Sequence, residues 1–249
     1  MTAVPLPGAA GRPRPLVSLR VFYRLLLRTQ VTIPRLLGIG GLGVLALVIG
    51  VFARSDPDPA QAAADTVGGY GLGVLVPLAT LWLGTSALGD LVEDRLLAYL
   101  RLKPVAPWQL PAAAVLATLT VVVPLTAVPL TVATLIAGAG DVGPAAFLAS
   151  AFAALAYAGV FVAAGLWFRR AVWWGLAFVV VWENVISHVA EGAARFTVSG
   201  WASAVLSLAP DVNVDREPGP VWLGVVVLTL IAVIGWLIAT WRYRRADID

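Results

Sequence analysis

The stretch VWLGVVVLTLIAVIGWLIATW, residues 221–241, contains no charged side chain and runs directly into Arg242, Arg244 and Arg245. A helix rises about 1.5 Å per residue, so about 20 apolar residues reach across a hydrocarbon core of about 30 Å. A run of this length closed by a basic cluster reads as a membrane-crossing helix anchored among headgroups. Toward the N-terminus five more stretches have the same character: Leu36–Ala53, Gly68–Gly89, Leu110–Ala139, Pro144–Phe168 and Ala171–Ala190. The expectation is an all-α integral membrane protein with six transmembrane helices, over about 36–53, 68–89, 110–139, 144–168, 171–190 and 221–241. Only the fifth carries a carboxylate, Glu183, followed by His188.

Charge assigns the two sides. Arg12, Arg14, Arg20, Arg24, Arg28 and Arg35, then Arg95, Arg101 and Lys103, then Arg169 and Arg170, and finally Arg242, Arg244 and Arg245 fall on alternate connections, hence on one side. The other side holds Arg54, Arg195 and Arg216, outnumbered by Asp56, Asp58, Asp65, Asp141, Glu191, Asp211, Asp215 and Glu217. Arginine and lysine excess in short loops marks the cytoplasmic face, so both termini are expected there. The expected location is a plasma (inner) membrane, crossed several times.

Composition agrees. The chain is 60% hydrophobic and 12% charged, where a soluble domain carries about 25% charged residues. Its net charge of +3 is no argument for nucleic acid, because the basic residues border bilayer-length runs; anionic membrane lipids are the expected partner. With no cysteine, thiolate metal sites, disulfides and cysteine nucleophiles are excluded. About 35 basic and polar residues precede the first apolar run, so a cleaved signal peptide is not expected.

Residues 1–15, rich in Pro, Gly, Ala and Arg, read as a disordered tail. Residues 16–31 read as an amphipathic helix, in which Arg20, Arg24 and Arg28 recur every fourth residue as one basic stripe, with Leu19, Phe22, Leu25, Leu26 and their neighbours covering the remainder. Such a helix lies in the membrane interface; a plain positive anchor and a helix that also meets a partner are both open. Pro34 marks a break, after which residues 33–245 form the transmembrane domain. Trp108, Trp167, Trp173, Trp174 and Trp241 fall at the expected cytoplasmic boundaries, Trp201 and Trp222 at the outer one. Trp82, Trp182 and Trp236 lie inside spans, where helix packing is the expectation.

The connection Asp90–Trp108 is the most informative loop. Val92, Leu96, Tyr99 and Leu100 share a helical face, while Asp90, Glu93, Asp94 and Arg101 are polar. Acids at the start and Arg101 and Lys103 at the end complement a helix dipole, and Pro104 and Pro107 stop it. A short charged helix under the membrane can transmit force if a partner grips it, or can simply connect two spans.

Here the chain resembles the ABC-2-type permeases, the transmembrane subunits of ABC exporters. That family's second cytoplasmic turn reads as acids, a short helix, then a leucine-rich stretch ending in Pro-Val or Pro-Ile. Glu93-Asp94, Tyr99-Leu100 and Pro104-Val105 match it, as do the six-span layout, Trp182-Glu183 late in the fifth span, and Ser199-Gly200-Trp201 with Leu206–Pro210 beyond. The Gly-Thr pair often found in the family's helix is absent near Arg95-Leu96. The resemblance implies that residues 90–108 form a coupling helix seated in an ATPase cleft, with Asp90, Glu93, Asp94, Arg95, Tyr99 and Arg101 as coupling residues. It implies that the N-terminal helix touches the same ATPase, that residues 191–219 form an external re-entrant or gate region, and that two permeases, as copies or homologues, assemble with two ATPases. The chain has no G-x-x-x-x-G-K-[ST] phosphate loop and its only lysine, Lys103, follows no glycine run. It is therefore not expected to be an enzyme or to hold a cofactor; ATP and Mg would be bound by the partner.

Glu183 is the costliest residue to place. It lies about 18 Å along a helix starting at Ala171, and an intramembrane carboxylate must be protonated, paired or wetted, which makes it a functional candidate. Ser187 shares its face one turn on, while Asn184 and His188 share a neighbouring one. A polar anchor, meeting a dimer mate or Arg195, and a lining residue of a translocation path are the two readings. In the third span Pro111, Pro124 and Pro129 alternate with Thr118, Thr120, Thr126, Thr131 and Thr134, allowing a kink re-bonded by hydroxyls. Gly38, Gly40, Gly41 and Gly43 allow close approach of the first span to a neighbour inside the chain or in a second copy.

Other functions compete. An intramembrane enzyme fits poorly with one histidine and no recognised nucleophile motif. An ion-driven secondary transporter could use Glu183 but should show inverted repeats, and none is evident. A non-transporting scaffold or sensor subunit fits the composition equally well.

Overall fold

The computed structural model describes residues 15–93, 106–168, 171–186, 196–210, 212–214 and 219–245. The chain is helical, with no strand among the described residues. Among the described residues five helical units are long and apolar enough to cross a membrane: Ile33–Ala53, Pro59–Gly89, Gln109–Ala137, Gly140–Trp167 and Val221–Arg245. The protein is thus a multi-pass helical membrane protein. A sixth apolar helix, Ala171–Trp182, falls in the shorter class, and residues 187–190 of the expected fifth span lie outside the described residues. So does most of the expected N-terminal tail.

Helix α1 (Pro15–Gln30) is followed by α2 (Ile33–Ala53). The break falls at Val31-Thr32, before Pro34 rather than at it. Thr32 is extended at the N-cap, and Pro34 sits in the first turn of α2, where a missing N–H costs nothing. Asp58 then caps α3 (Pro59–Asp65) by accepting from the Gln61 N–H at 3.1 Å. The chain continues without interruption through a π-helical stretch, π1 (Thr66–Leu75), into α4 (Val76–Glu93). The second unit therefore begins before the expected Gly68. Helix α5 (Gln109–Ala137) ends at Gly138, which has φ +86° and closes the last turn with its N–H on the Leu135 carbonyl. Helix α6 (Gly143–Trp167) follows; then α7 (Ala171–Ala177) widens into π2 (Phe178–Ile186). A short helix, α8 (Val198–Leu206), precedes α9 (Val221–Arg245).

Helix α6 is the hub. It packs against α4, α5, α8 and α9, and Ala146, Ala149, Ala153, Ala154 and Ala158 are fully buried along it. Without a hydrophobic drive between helices in lipid, small residues that admit backbones closely supply the packing. At Gly159 a Cβ would stand 2.6 Å from the Ala232 carbonyl oxygen, and at Gly165 it would stand 2.5 Å from that of Thr85. Some glycines of the first span make close approaches inside the chain. Gly38 faces the Trp82 ring and Gly43 faces Pro129, whereas Gly40 and Gly41 have nothing within 4 Å. Helix α5 stays helical through Pro124 and Pro129, and Thr120, Thr126 and Thr131 each donate to the carbonyl four residues back.

Two cores result. The larger runs through the bundle around Leu72, Leu75, Leu130, Tyr157 and Phe161. The smaller sits at the end where Arg242 and Arg245 lie, and joins Phe22 and Leu26 of α1 to Leu88, Leu110, Ala114, Leu166 and Tyr243.

Candidate functional site

At the basic end, α1 lies along the first turns of α5 and also touches α4. Arg20, Arg24 and Arg28 are exposed, and Phe22 and Leu26 on the opposite face are buried. Three side-chain hydrogen bonds fasten it to α5: Ser18 Oγ to Gln109 Oε1 (2.8 Å), Tyr23 Oη with Thr120 Oγ1 (3.0 Å) and Gln30 Nε2 to Thr118 Oγ1 (3.1 Å). Gln30 is fully buried, and its Oε1 has no partner among the described residues. A buried amide with one end unpaired is a costly fastening, because the desolvated carbonyl recovers nothing. Neither this pair nor the α1–α5 register was foreseen from the sequence, where Gln30 is one polar residue at a helix end.

The candidate coupling segment leaves the bundle from this same end. Asp90 and Glu93 fall in the last turns of α4. Asp94, Arg95, Tyr99 and Arg101 lie outside the described residues. The chain returns at Ala106, whose carbonyl accepts from Gln109 N–H at 3.1 Å, and Trp108 offers its carbonyl to Trp236 Nε1 at 3.4 Å. Thus α1 packs on the two helices that bracket residues 94–105.

At the opposite end, where Asp56, Asp58, Asp65 and Asp141 lie, the two π-helical stretches meet each other, and π1 also meets α8. Continuous π-helix is rare, and its wide turns recur at functional sites. The segment Gly68-Gly69-Tyr70-Gly71-Leu72-Gly73 has few side chains to resist the wide turn, and that glycine run was the signal in the sequence. Tyr70 Oη donates to the Leu42 carbonyl at 2.7 Å, tying π1 to α2. Glu183 and Asn184 lie within π2; Ser187, His188 and Arg195 lie outside the described residues. Trp182 donates from Nε1 to the Phe196 carbonyl at 3.2 Å, and Thr197 caps α8 by accepting from Gly200 N–H at 3.1 Å. Helix α8 is buried against α6, α9 and π1. Gln61 holds the neighbouring segment by exchanging two 2.9 Å hydrogen bonds with the Asn213 backbone.

Between α2, α4 and α7 runs an apolar groove of about 260 Å3, lined by residues including Ile39, Leu78, Leu81, Trp82 and Leu176. Trp82, expected to pack against another helix, closes on Gly38 while remaining 40% exposed in this groove. No group of His, Cys, Asp and Glu side chains able to hold a metal occurs among the described residues. No protein-family model matches the sequence, and no curated protein matches it.

Proposed function

We propose that this chain is the membrane-spanning permease subunit of an ATP-driven exporter of the ABC-2 type, forming the translocation path and driven by a separate ATPase that binds ATP and Mg. The packing of α1 carries the reading. A helix with an exposed arginine stripe is fastened to α4 and α5, the helices that flank the acidic connection starting at Asp90. An ATPase that gripped this connection would meet α1 on the same face, and a push on either would pass directly into two spans. Residues Ala171–Ile186, completed by the residues that follow, are the fifth of six spans in this reading. Residues 191–219, including the buried α8, form the outer gate region beside Glu183. A second permease copy or homologue completes the path.

Orientation is proposed from charge: the end with Arg20, Arg24, Arg28, Arg242, Arg244 and Arg245 faces the cytoplasm. Single cysteines at Asp58 and Asp141 should react with an impermeant thiol reagent added outside intact cells, and a cysteine at Arg244 should not. The opposite labelling pattern would reverse the assignment.

The coupling role is tested by Glu93→Lys with Asp94→Lys, in cells that also express a candidate ATPase subunit carrying a phosphate loop. Like-charge contacts at an interface cost several kcal/mol, and each 1.4 kcal/mol is about tenfold in affinity. Co-purification of the ATPase should fall by more than about tenfold, with membrane insertion unchanged. Normal assembly and turnover in the double variant would favour the scaffold reading instead.

A further inference from the structure

Where α6 ends beside the last turns of α9, two guanidinium groups lie over two indole rings. The Trp167 and Trp241 centroids are 6.1 Å apart, with the rings inclined at 32°. The Arg242 guanidinium carbon is 6.0 Å from the Trp167 centroid, and that of Arg245 is 4.4 Å from the Trp241 centroid. Stacking engages the face of a guanidinium and leaves its N–H edges for hydrogen bonds. Arg242 Nε is buried and has no hydrogen-bond partner among the described residues. The negative end of the α9 dipole favours basic residues in the final turn, but it supplies no acceptor for that Nε. Arg242 is half-buried and Arg245 exposed, so guanidinium N–H edges that stacking leaves free are open to an anion.

The surroundings name the anion. Trp167, Phe168 and Trp241 are about half exposed, while Trp173 is 70% and Trp174 64% exposed. Exposed indoles gathered at one end of apolar helices belong at the membrane interface, where the abundant anion is lipid phosphate. Between Arg242 and Arg245, Tyr243 is buried in the small core with Leu26 and Leu88, which fixes the backbone that carries both arginines. A planar guanidinium edge suits two oxygens of one phosphate. We propose that Trp167, Trp241, Arg242 and Arg245 form a binding site for the phosphate of an anionic glycerophospholipid. The site needs only that the chain spans a membrane, and stands independently of the exporter reading.

The test is native mass spectrometry of the full chain, stripped of lipid in detergent and titrated with dioleoyl phosphatidylglycerol or dioleoyl phosphatidylcholine. A saturable phosphatidylglycerol adduct is expected, with phosphatidylcholine bound more weakly. At about 1 kcal/mol per basic residue, Arg242→Gln with Arg245→Gln should weaken that adduct roughly thirtyfold. Arg20→Gln, Arg24→Gln and Arg28→Gln together remove more charge from the same end but none from the stacked pair, and should weaken it clearly less than the glutamine pair does. Arg242→Lys with Arg245→Lys keeps the charge but loses the planar stack, and should weaken binding severalfold. Circular dichroism confirms that each variant remains helical; if the glutamine pair fails to fold, Trp167→Leu takes its place and should weaken the adduct. Equal loss in the triple variant, or none in the glutamine pair, overturns the site. Displacement of phosphatidylglycerol by millimolar inorganic phosphate overturns the lipid assignment in favour of a soluble phosphate ester.

Discussion

Gly235→Val should strongly destabilise the folded state of this protein in mild detergent and lower its melting temperature. A Cβ at Gly235 meets the Gly159 backbone of α6, and a Cβ at Gly159 meets the Ala232 backbone of α9, at 2.6 Å from its carbonyl oxygen. These neighbours are main chain, so no side-chain rotation relieves the contact. Helix α6 must move instead, and it is the helix against which α4, α5, α8 and α9 all pack. Overpacking in well-filled cores costs about 1–3 kcal/mol and occasionally more; with backbone on both sides the upper end applies. Gly159→Val should behave alike. Gly40→Val and Gly41→Val add the same side chain where nothing lies within 4 Å, and should change stability by less than about 0.5 kcal/mol. Thermal unfolding followed by size-exclusion chromatography separates the pairs. If all four variants melt together, the α6–α9 contact is not what organises the bundle. A changed oligomeric state in Gly40→Val alone would show that the open glycines meet a second copy.

How much of this was legible in the sequence depends on which signal carried it. Hydropathy located the long units because burial of about 20 apolar residues in lipid is a property of each helix alone. The Arg20, Arg24 and Arg28 stripe was legible for the same reason: i, i+4 spacing is local. The α1 contacts were not, because Gln30 meets Thr118 at a sequence separation of 88 and nothing local to either residue announces the pair. The second unit was read too short. Asp56, Asp58 and Asp65 suggested a loop, while the Asp58 cap and Pro59 in fact start a helix that runs on into the bundle. Hydropathy alone reads the glycine run 68–73 as ordinary apolar helix, whereas its weak side-chain constraint suits the wide turns of π1, which meets π2. For the candidate sites the sequence supplied residue types and faces. The structure adds that α1 and both ends of the 94–105 connection belong to one end of the bundle, and that π2, which carries Glu183, meets π1 at the other.

Phe22→Ala with Leu26→Ala should release α1 while leaving the spanning helices in place. Among the described side chains of α1 these two apolar ones are buried in the small core, at 6% and 1% exposure. Deleting a buried Phe or Leu side chain costs about 2–5 kcal/mol, and the pair shares neighbours, so the two losses do not simply add. What remains is the partial packing of Leu19, Tyr23 and Leu27 and hydrogen bonds each worth about 0.5–1.5 kcal/mol net, among them that from Gln30, whose Oε1 is unpaired among the described residues. That cannot hold sixteen residues against the entropy of release, about 1–2 kcal/mol per freed residue. Hydrogen exchange should therefore lose protection over residues 15–30 and keep it in α4, α5 and α6, whose mutual packing involves other residues. The functional consequence divides the readings of α1. If it transmits force beside the acidic connection, ATPase activity should become uncoupled from transport although the ATPase still binds. If it is a plain basic anchor, coupling should survive undocking, because Arg20, Arg24 and Arg28 remain on the chain. Unaltered protection over residues 15–30 would refute the latch itself, whatever the transport assay reads.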